Sequence, residues 1–258
     1  MNTAQVIAIV NQKGGVGKTT TAINLSAALA IAGSNVLVID FDPQGNTSTG
    51  VGIRQQDRIN NIYLVLISAR PISECIMQTN IPNLSVVSSN TNLSAVELEL
   101  AQLEDREYIL LNILKSLTTL YDYIIIDCPP SLNLLTINAL TAADKVLIPM
   151  QCDFYSLEGL SHLLKTIELI QKNLNPKIKI AGILFTMYDK RNRLTEQVEA
   201  DVRGYLGDLV FDTTIPRNIR LSEAPSYGQP GILYDHRCAG SMAYIELTKE
   251  IFSQNLLL

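Results

Sequence analysis

The densest chemical information lies in Asn11-Gln12-Lys13-Gly14-Gly15-Val16-Gly17-Lys18-Thr19-Thr20. Glycines let a backbone curl so that successive N–H groups converge on an anion. A helix opening at the end of such a loop adds its positive dipole end. Lys18 can then reach the β- and γ-phosphates of a nucleoside triphosphate, and the Thr19 hydroxyl can ligate Mg²⁺. The loop departs at one place from the phosphate-binding pattern G-x-x-x-x-G-K-[ST]: Gln12 stands at the first glycine position, and a second lysine, Lys13, follows it. A dinucleotide reading competes, because Gly15-Val16-Gly17 follows a strand pattern and Asp40 lies about twenty residues on. Thr20 occupies that fingerprint's third glycine position, however, and Lys18-Thr19 has no role in it, so the triphosphate reading ranks first. A glycine-rich turn that binds nothing does not account for Lys-Thr at this offset.

Two carboxylate motifs bear on the same chemistry. Tyr123-Ile124-Ile125-Ile126-Asp127 is an apolar run ending in Asp, which in a parallel sheet lies beside the phosphate loop and orients Mg²⁺ or its water. A simple strand-ending turn, helped by Pro129-Pro130, is its alternative. The second motif is Val38-Ile39-Asp40-Phe41-Asp42-Pro43-Gln44-Gly45-Asn46. Asp40 and Asp42 share one face if the strand continues that far, and either could orient an attacking water. An ordinary Asp-Pro-Gly turn is the alternative.

These groups need a scaffold. Short apolar, β-branched runs at Val6–Val10, Asn35–Ile39, Leu84–Val87, Tyr123–Ile126, Lys145–Ile148 and Ile178–Phe185 predict strands. Amphipathic stretches at Thr20–Ala32, Ala95–Leu103, Leu134–Ala143, Leu157–Leu174 and Thr195–Leu206 predict helices between them. Strands that are apolar throughout suit a parallel sheet covered on both faces. The alternation predicts an α/β fold, a single doubly wound, mostly parallel sheet flanked by helices; with the glycine-rich loop after the first strand, it reads as a P-loop NTPase fold. Residues 53–83 are expected to hold a short helix around Ile59–Ile67 and a loop through Arg70-Pro71. Without linker, repeat or low-complexity tract, residues 1–258 read as one domain with no N-terminal accessory domain.

Composition excludes other classes. At 258 residues, 47% hydrophobic and 17% charged, the chain is not disordered. Cys75, Cys128, Cys152 and Cys238 form no C-x-x-C pair and there are two His, so zinc spacing is absent and a reducing compartment fits. No run approaches the roughly 18 apolar residues of a membrane span. The net charge of −5 argues against a generally basic nucleic-acid binder, but it is unevenly spread. Glu97, Glu99, Glu104, Asp105 and Glu107 crowd one segment. Lys177, Lys179, Lys190, Arg191 and Arg193 crowd another, which Arg217 and Arg220 join if the fold brings them near.

Taken together with Asp127-Cys128-Pro129-Pro130-Ser131 and Ile215-Pro216-Arg217-Asn218-Ile219-Arg220-Leu221-Ser222-Glu223-Ala224-Pro225, the loop and the Asp42-Pro43-Gln44-Gly45-Asn46 motif resemble the ParA-type partition ATPases of the ParA/MinD family, the deviant Walker A proteins. The resemblance covers nearly the whole chain. It implies ATP hydrolysis with Mg²⁺, with ATP held by Lys13, Gly14, Gly15, Val16, Gly17, Lys18, Thr19 and Thr20 and the metal by Thr19 and Asp127. Lys13 resembles the signature lysine that crosses an ATP-sandwich homodimer to the partner's nucleotide, and Gly14 the small residue at that interface. Asp42 resembles the residue that positions the water, Pro216 and Asn218 match adenine contacts, and Arg191 and Arg220 match residues that bind double-stranded DNA without sequence preference. A ParB-type centromere-binding protein is the implied stimulating partner, in the cytoplasm and on the nucleoid in the ATP state. A MinD-like or cargo-positioning scaffold ATPase without DNA binding is the alternative. The tail Leu247–Leu258 has one Lys and one Glu, too little positive charge for an anionic membrane surface, so no membrane partner is expected.

Overall fold

The computed structural model describes residues 3–253. Seven strands form one sheet: β1 Gln5–Ile9, β2 Val36–Asp40, β3 Ile76–Gln78, β4 Leu84–Val87, β5 Tyr123–Asp127, β6 Lys145–Gln151 and β7 Lys179–Thr186. Their order is β3-β4-β2-β5-β1-β6-β7, with β3 antiparallel to β4 and the other pairs parallel. The helices are α1 Lys18–Ile31, α2 Asn46–Gly50, α3 Ile62–Leu66, α4 Val96–Glu99, α5 Ile109–Leu114, α6 Leu134–Ala142, α7 Phe154–Asn173, α8 Arg193–Leu206, α9 Ile219–Glu223, α10 Gly231–Tyr234 and α11 Ala239–Ser253. The mostly parallel, doubly wound α/β architecture expected from the alternation is present.

The period-two rule separates the two cores. Val6, Ala8, Leu37, Ile39, Ile124 and Ile126 point to one face, where α5, α6, α7 and α8 contribute residues; Ile7, Ile9, Val36, Val38, Tyr123 and Ile125 point to the other, against α1 and α11. Because both faces are covered, β1, β2 and β5 are buried along nearly their whole length, and their sequences show no polar alternation. The helix α1 is buried from Thr21 to Ala30 because α11 covers the side away from the sheet; Thr21 Oγ1 and Tyr244 Oη share a hydrogen bond of 3.0 Å there.

Two regions differ from expectation. The helix expected over Ala95–Leu103 is a 3₁₀ turn, Thr91–Ala95, followed by the single turn of α4. Its side chains serve other elements: Glu97 Oε1 accepts from the N–H of Leu134 at the start of α6, and Glu99 Oε1 accepts from Tyr63 Oη. Within residues 53–83, helix α3 begins at Ile62 rather than Ile59, because Asn61 caps it by accepting from the Tyr63 N–H. The same region also holds β3, a three-residue edge strand too short to leave a pattern. Of the tail Leu247–Leu258, residues up to Ser253 continue α11, and residues 254–258 lie outside the described residues. Among the described residues no helix is long and apolar enough to cross a membrane.

Candidate nucleotide site

From β1 the chain crosses to β2 on one side of the sheet, and from the adjacent β6 it crosses to β7 on the other, so the loops after these neighbours diverge and open a crevice at the end of β1. Ile9, the end of β1, is the register partner of Asp127, and Asp127 in turn is the partner of Asp40 at the end of β2. The loop Asn11–Gly17 therefore emerges beside two carboxylates.

The loop is braced from both neighbours. Asn11 Nδ2 donates to Pro149 O at 2.7 Å, and Asn11 Oδ1 accepts from the Lys13 N–H at 2.9 Å. Thr186 Oγ1 donates to Val16 O at 2.7 Å, and Gln151 Nε2 donates to Gly15 O at 2.9 Å. Gly15 and Gly17 adopt φ of 73° and 86°, the left-handed turn that keeps the loop curled. Gly17 is the N-cap of α1 and no side chain among the described residues caps that end, so the first N–H groups of the helix remain available to an anion. Lys18 is buried, its Nζ donating to Lys13 O at 3.0 Å. Burial pulls its pKa down, partly opposed by Asp127. An ammonium held in that state gains from an incoming polyphosphate.

Asp127 is fully buried. Its Oδ2 accepts from Thr19 Oγ1 at 2.8 Å and Thr47 Oγ1 at 2.7 Å, while Oδ1 has no hydrogen-bond partner among the described residues. Burial raises its pKa first, the charge of Asp40 next, and the two threonine hydroxyls pull back. A buried acceptor with no protein donor, beside a threonine hydroxyl, suits a hydrated Mg²⁺, which keeps several waters and takes one or two protein ligands plus phosphates. The residues present thus fit the metal. Among the described residues there is no cluster of three His, Cys, Asp or Glu that would hold one without a nucleotide.

The structure separates the two aspartates that spacing left equivalent. The strand ends at Asp40, so the two do not share a strand face. Asp40 is fully buried and its Oδ2 accepts from Ser48 N–H at 2.7 Å and Ser48 Oγ at 2.6 Å. Burial raises its pKa despite those bonds. Asp42 sits on the turn beyond, half-buried, with Oδ1 accepting from the Gln44 N–H at 2.9 Å. Asp40 is a strut for α2; Asp42 is the more accessible carboxylate of the two.

A cleft of about 330 Å³ adjoins the loop, lined by Gly17, Thr20, Thr186, Pro216, Asn218 and Tyr244 among others. Pro216 and Asn218 thus share that cleft with the end of the phosphate loop. The Asn218 side chain also caps α9, accepting from the Arg220 N–H at 2.9 Å. The expected basic segment, by contrast, is divided. Lys179 opens β7 and Lys190 follows its end, eight residues of strand away, or about 25 Å. Lys190, Arg191 and Arg217 share an open groove with Asp189 and Glu246. Arg220 is not among the groove's lining residues; it pairs with Glu223 at 2.9 Å, and Arg191 pairs with Asp189 at 2.9 Å. Cys128 is buried, and burial raises its thiol pKa well above the ordinary value, in keeping with an inert packed thiol.

Spacing alone did not mark Thr47, Ser48, Thr186, Gln151 or Asp153, which brace the carboxylates and the loop. The hydroxyl run Thr47-Ser48-Thr49 after Asp42 was the available signal for the first two.

A curled loop opening α1 at the switch point, with Lys18 buried in it and Asp127 at the neighbouring strand end, places the molecule among the P-loop ATPases. A family model described as an AAA domain matches residues 4–180. The chain is 52% identical over 255 residues to the chromosome partitioning protein ParA of Caulobacter vibrioides, covering 98% of this chain and 96% of that one. It is 51% identical to the sporulation initiation inhibitor protein Soj of Bacillus subtilis, covering 96% and 98%. Among solved structures, cobyrinic acid a,c-diamide synthase from Mycobacterium smegmatis with ADP and magnesium superposes with a TM-score of 0.85 at 33% identity, covering 98% and 95%. The chain belongs to the ParA/Soj family of P-loop ATPases, as the motifs in its sequence imply.

Proposed function

We propose that the chain is a DNA-partition ATPase. Two ATP-bound copies form a sandwich dimer that binds double-stranded DNA without sequence preference. A ParB-type partner stimulates hydrolysis, and hydrolysis releases the DNA. The setting is the cytoplasm, on the nucleoid in the ATP state, with residues 1–258 acting as one ATPase domain. Lys18 and the loop N–H groups hold the phosphates, Thr19 and Asp127 hold Mg²⁺, Asp42 positions the water, and Pro216 and Asn218 flank the adenine. Mg²⁺ held there by Thr19 and Asp127 would supply positive charge against the phosphates.

The observation that carries the dimer is Gly14. It is exposed, its φ is not positive, and a Cβ built on it meets nothing within 4 Å. Among the described residues nothing crowds that position, so the loop leaves an open face there against which a second copy could close. Lys13 beside it supplies a charge that a second nucleotide can use. Gly14→Val is therefore expected to leave folding and ATP binding within about twofold of wild type while abolishing the ATP-dependent dimer, because a small exposed-site change is usually worth under about 0.5 kcal/mol to the monomer. Sedimentation with a slowly hydrolysed ATP analogue measures this, and a Gly14→Val dimer of normal affinity refutes it.

DNA binding is tested on unrelated duplexes with ADP and with the same analogue; equal binding in both states sinks the switch. Arg191→Ala and Arg220→Ala are each expected to weaken all sequences alike. Removing one arginine from a phosphate should flatten the plot of log affinity against log salt by about 0.9. An unchanged slope removes that arginine from the DNA surface. One observation favours the second reading, a scaffold ATPase that positions a protein cargo: both arginines already have carboxylate partners within the chain. An ATP-dependent dimer that binds no duplex selects that reading.

A further inference from the structure

The junction between β6 and α7 grips the outer rim of the phosphate loop at two points. Gln151 donates to Gly15 O, and Asp153 Oδ2 is ion-paired with the Lys13 ammonium. Asp153 is the N-cap of α7, and its other oxygen, Oδ1, accepts from both the N–H and the hydroxyl of Ser156 at 3.0 Å. One carboxylate oxygen is thus fixed to the helix and the other is offered to a lysine 140 residues away in sequence. Both side chains are about one-third exposed, 37% for Lys13 and 32% for Asp153, so the pair can open without unfolding anything. Phe154 and Tyr155 follow at once, 70% and 75% exposed, their rings edge to face at 5.8 Å. The shoulder beside the pair is therefore an uncovered aromatic step.

We propose that Asp153 is a positioning residue that competes for Lys13, holding its ammonium within the separate chain until a second ATP-loaded copy offers its phosphates instead. This rests on the reading that Lys13 serves the partner's nucleotide. The chemistry favours such an exchange. A helix N-terminus carries partial positive charge and repels a nearby ammonium unless a carboxylate stands between them. Asp153 is that carboxylate, and its hold on Lys13 is the modest one of a part-exposed ion pair. A triphosphate carries several negative charges and displaces it. An ADP-bound copy lacks the γ-phosphate, so the lysine stays at home. Each dimer opens two such pairs, so their cost enters the dimer equilibrium squared. One part-exposed pair is worth about 1.4- to 5-fold, which makes the effect on dimer affinity roughly 2- to 30-fold.

Asp153→Asn keeps a capping side chain and removes the charge. It should lower the dimer dissociation constant with a slowly hydrolysed ATP analogue about 2- to 30-fold. In the nucleotide-free chain, it should raise acylation of Lys13 by an amine-reactive reagent, read by mass spectrometry, several-fold. Ser156→Ala loosens the cap but leaves the ion pair, and should do neither. If the asparagine variant fails to fold, Asp153→Ser retains a capping hydroxyl without charge and takes its place. Unchanged Lys13 labelling overturns the cis pair outright. Raised labelling with an unchanged wild-type-like dimer affinity overturns the competition alone. If the wild-type chain forms no dimer with the analogue, the dimer reading falls, and the competition falls with it.

Discussion

Lys18→Ala is expected to weaken ATP and ADP binding by about 30-fold to several thousand-fold and to reduce hydrolysis to background, because removing one partner of a buried charge pair costs about 2–5 kcal/mol. Lys18 is the buried cation at the loop, its ammonium donating to the Lys13 carbonyl with the charge of Asp127 nearby. In the ligand-free chain that burial is unfavourable to the charged form. The interaction that offsets the cost is the nucleotide, so the substitution should show in binding and far less in folding. Thermal unfolding without nucleotide should shift by only a few degrees, about 1 kcal/mol or less at this size. The stabilisation that excess nucleotide confers on wild type should vanish, since a ligand stabilises only what it binds. Titration with a fluorescent nucleotide and melting with and without ATP measure both. Intact turnover in Lys18→Ala would show that the phosphates lie elsewhere. Dimerisation and DNA binding should also lose their dependence on nucleotide, so this variant is the reference against which the subtler ones are read.

Much of this site was legible because the chemistry and the fold leave coincident marks. A glycine-rich loop, Lys18 and Thr19 must sit between a strand and a helix, and the apolar run before Asn11 and the amphipathic run after Thr20 are visible in the residues. Tyr123–Asp127 was equally legible, since a buried parallel strand has no polar alternation to disguise it. What stayed hidden depends on partners distant in sequence. Nothing near Thr47 announces that its hydroxyl will meet Asp127, eighty residues on. Asp153 lies 140 residues from Lys13. The basic segment 177–193 looked continuous in sequence, but a strand laid through it puts Lys179 at one end of β7 and Lys190 beyond the other. At Ala95–Leu103 the helix stops after one turn, and its acids Glu97 and Glu99 meet Leu134 and Tyr63, partners that periodicity does not see.

The pair Asp40 and Asp42 shows what coordinates add to a motif, and it leads to the second large effect. Spacing made the two equivalent candidates for positioning the attacking water. Their surroundings do not. Asp40 spends its Oδ2 on both donors of Ser48, and Ser48 Oγ also accepts from the Ser89 N–H at 3.0 Å, so Asp40 ties β2 to α2 and to the end of β4. Asp42 lies one step further out, on a turn closed by Gln44 and Gly45, with its carboxylate at the rim of the crevice. Asp42→Ala should therefore reduce hydrolysis by about 10²- to 10⁴-fold, the range for removing a positioned acid–base group, while ATP affinity stays within about threefold. Asp42→Asn, which keeps an acceptor for the Gln44 N–H, should be nearly as slow, because turn geometry is not what fails. Asp40→Asn should lose less than about tenfold, and its effect should appear as altered stability through the Ser48 hydrogen bonds, worth about 0.5–1.5 kcal/mol each. Single-turnover hydrolysis alongside nucleotide titration separates these outcomes. With chemistry blocked and binding intact, Asp42→Ala should also hold the ATP-bound dimer for as long as ATP is present. Normal single-turnover rates in Asp42→Ala, with a deep loss in Asp40→Asn, would exchange the two roles and make the turn at Asp42 merely structural.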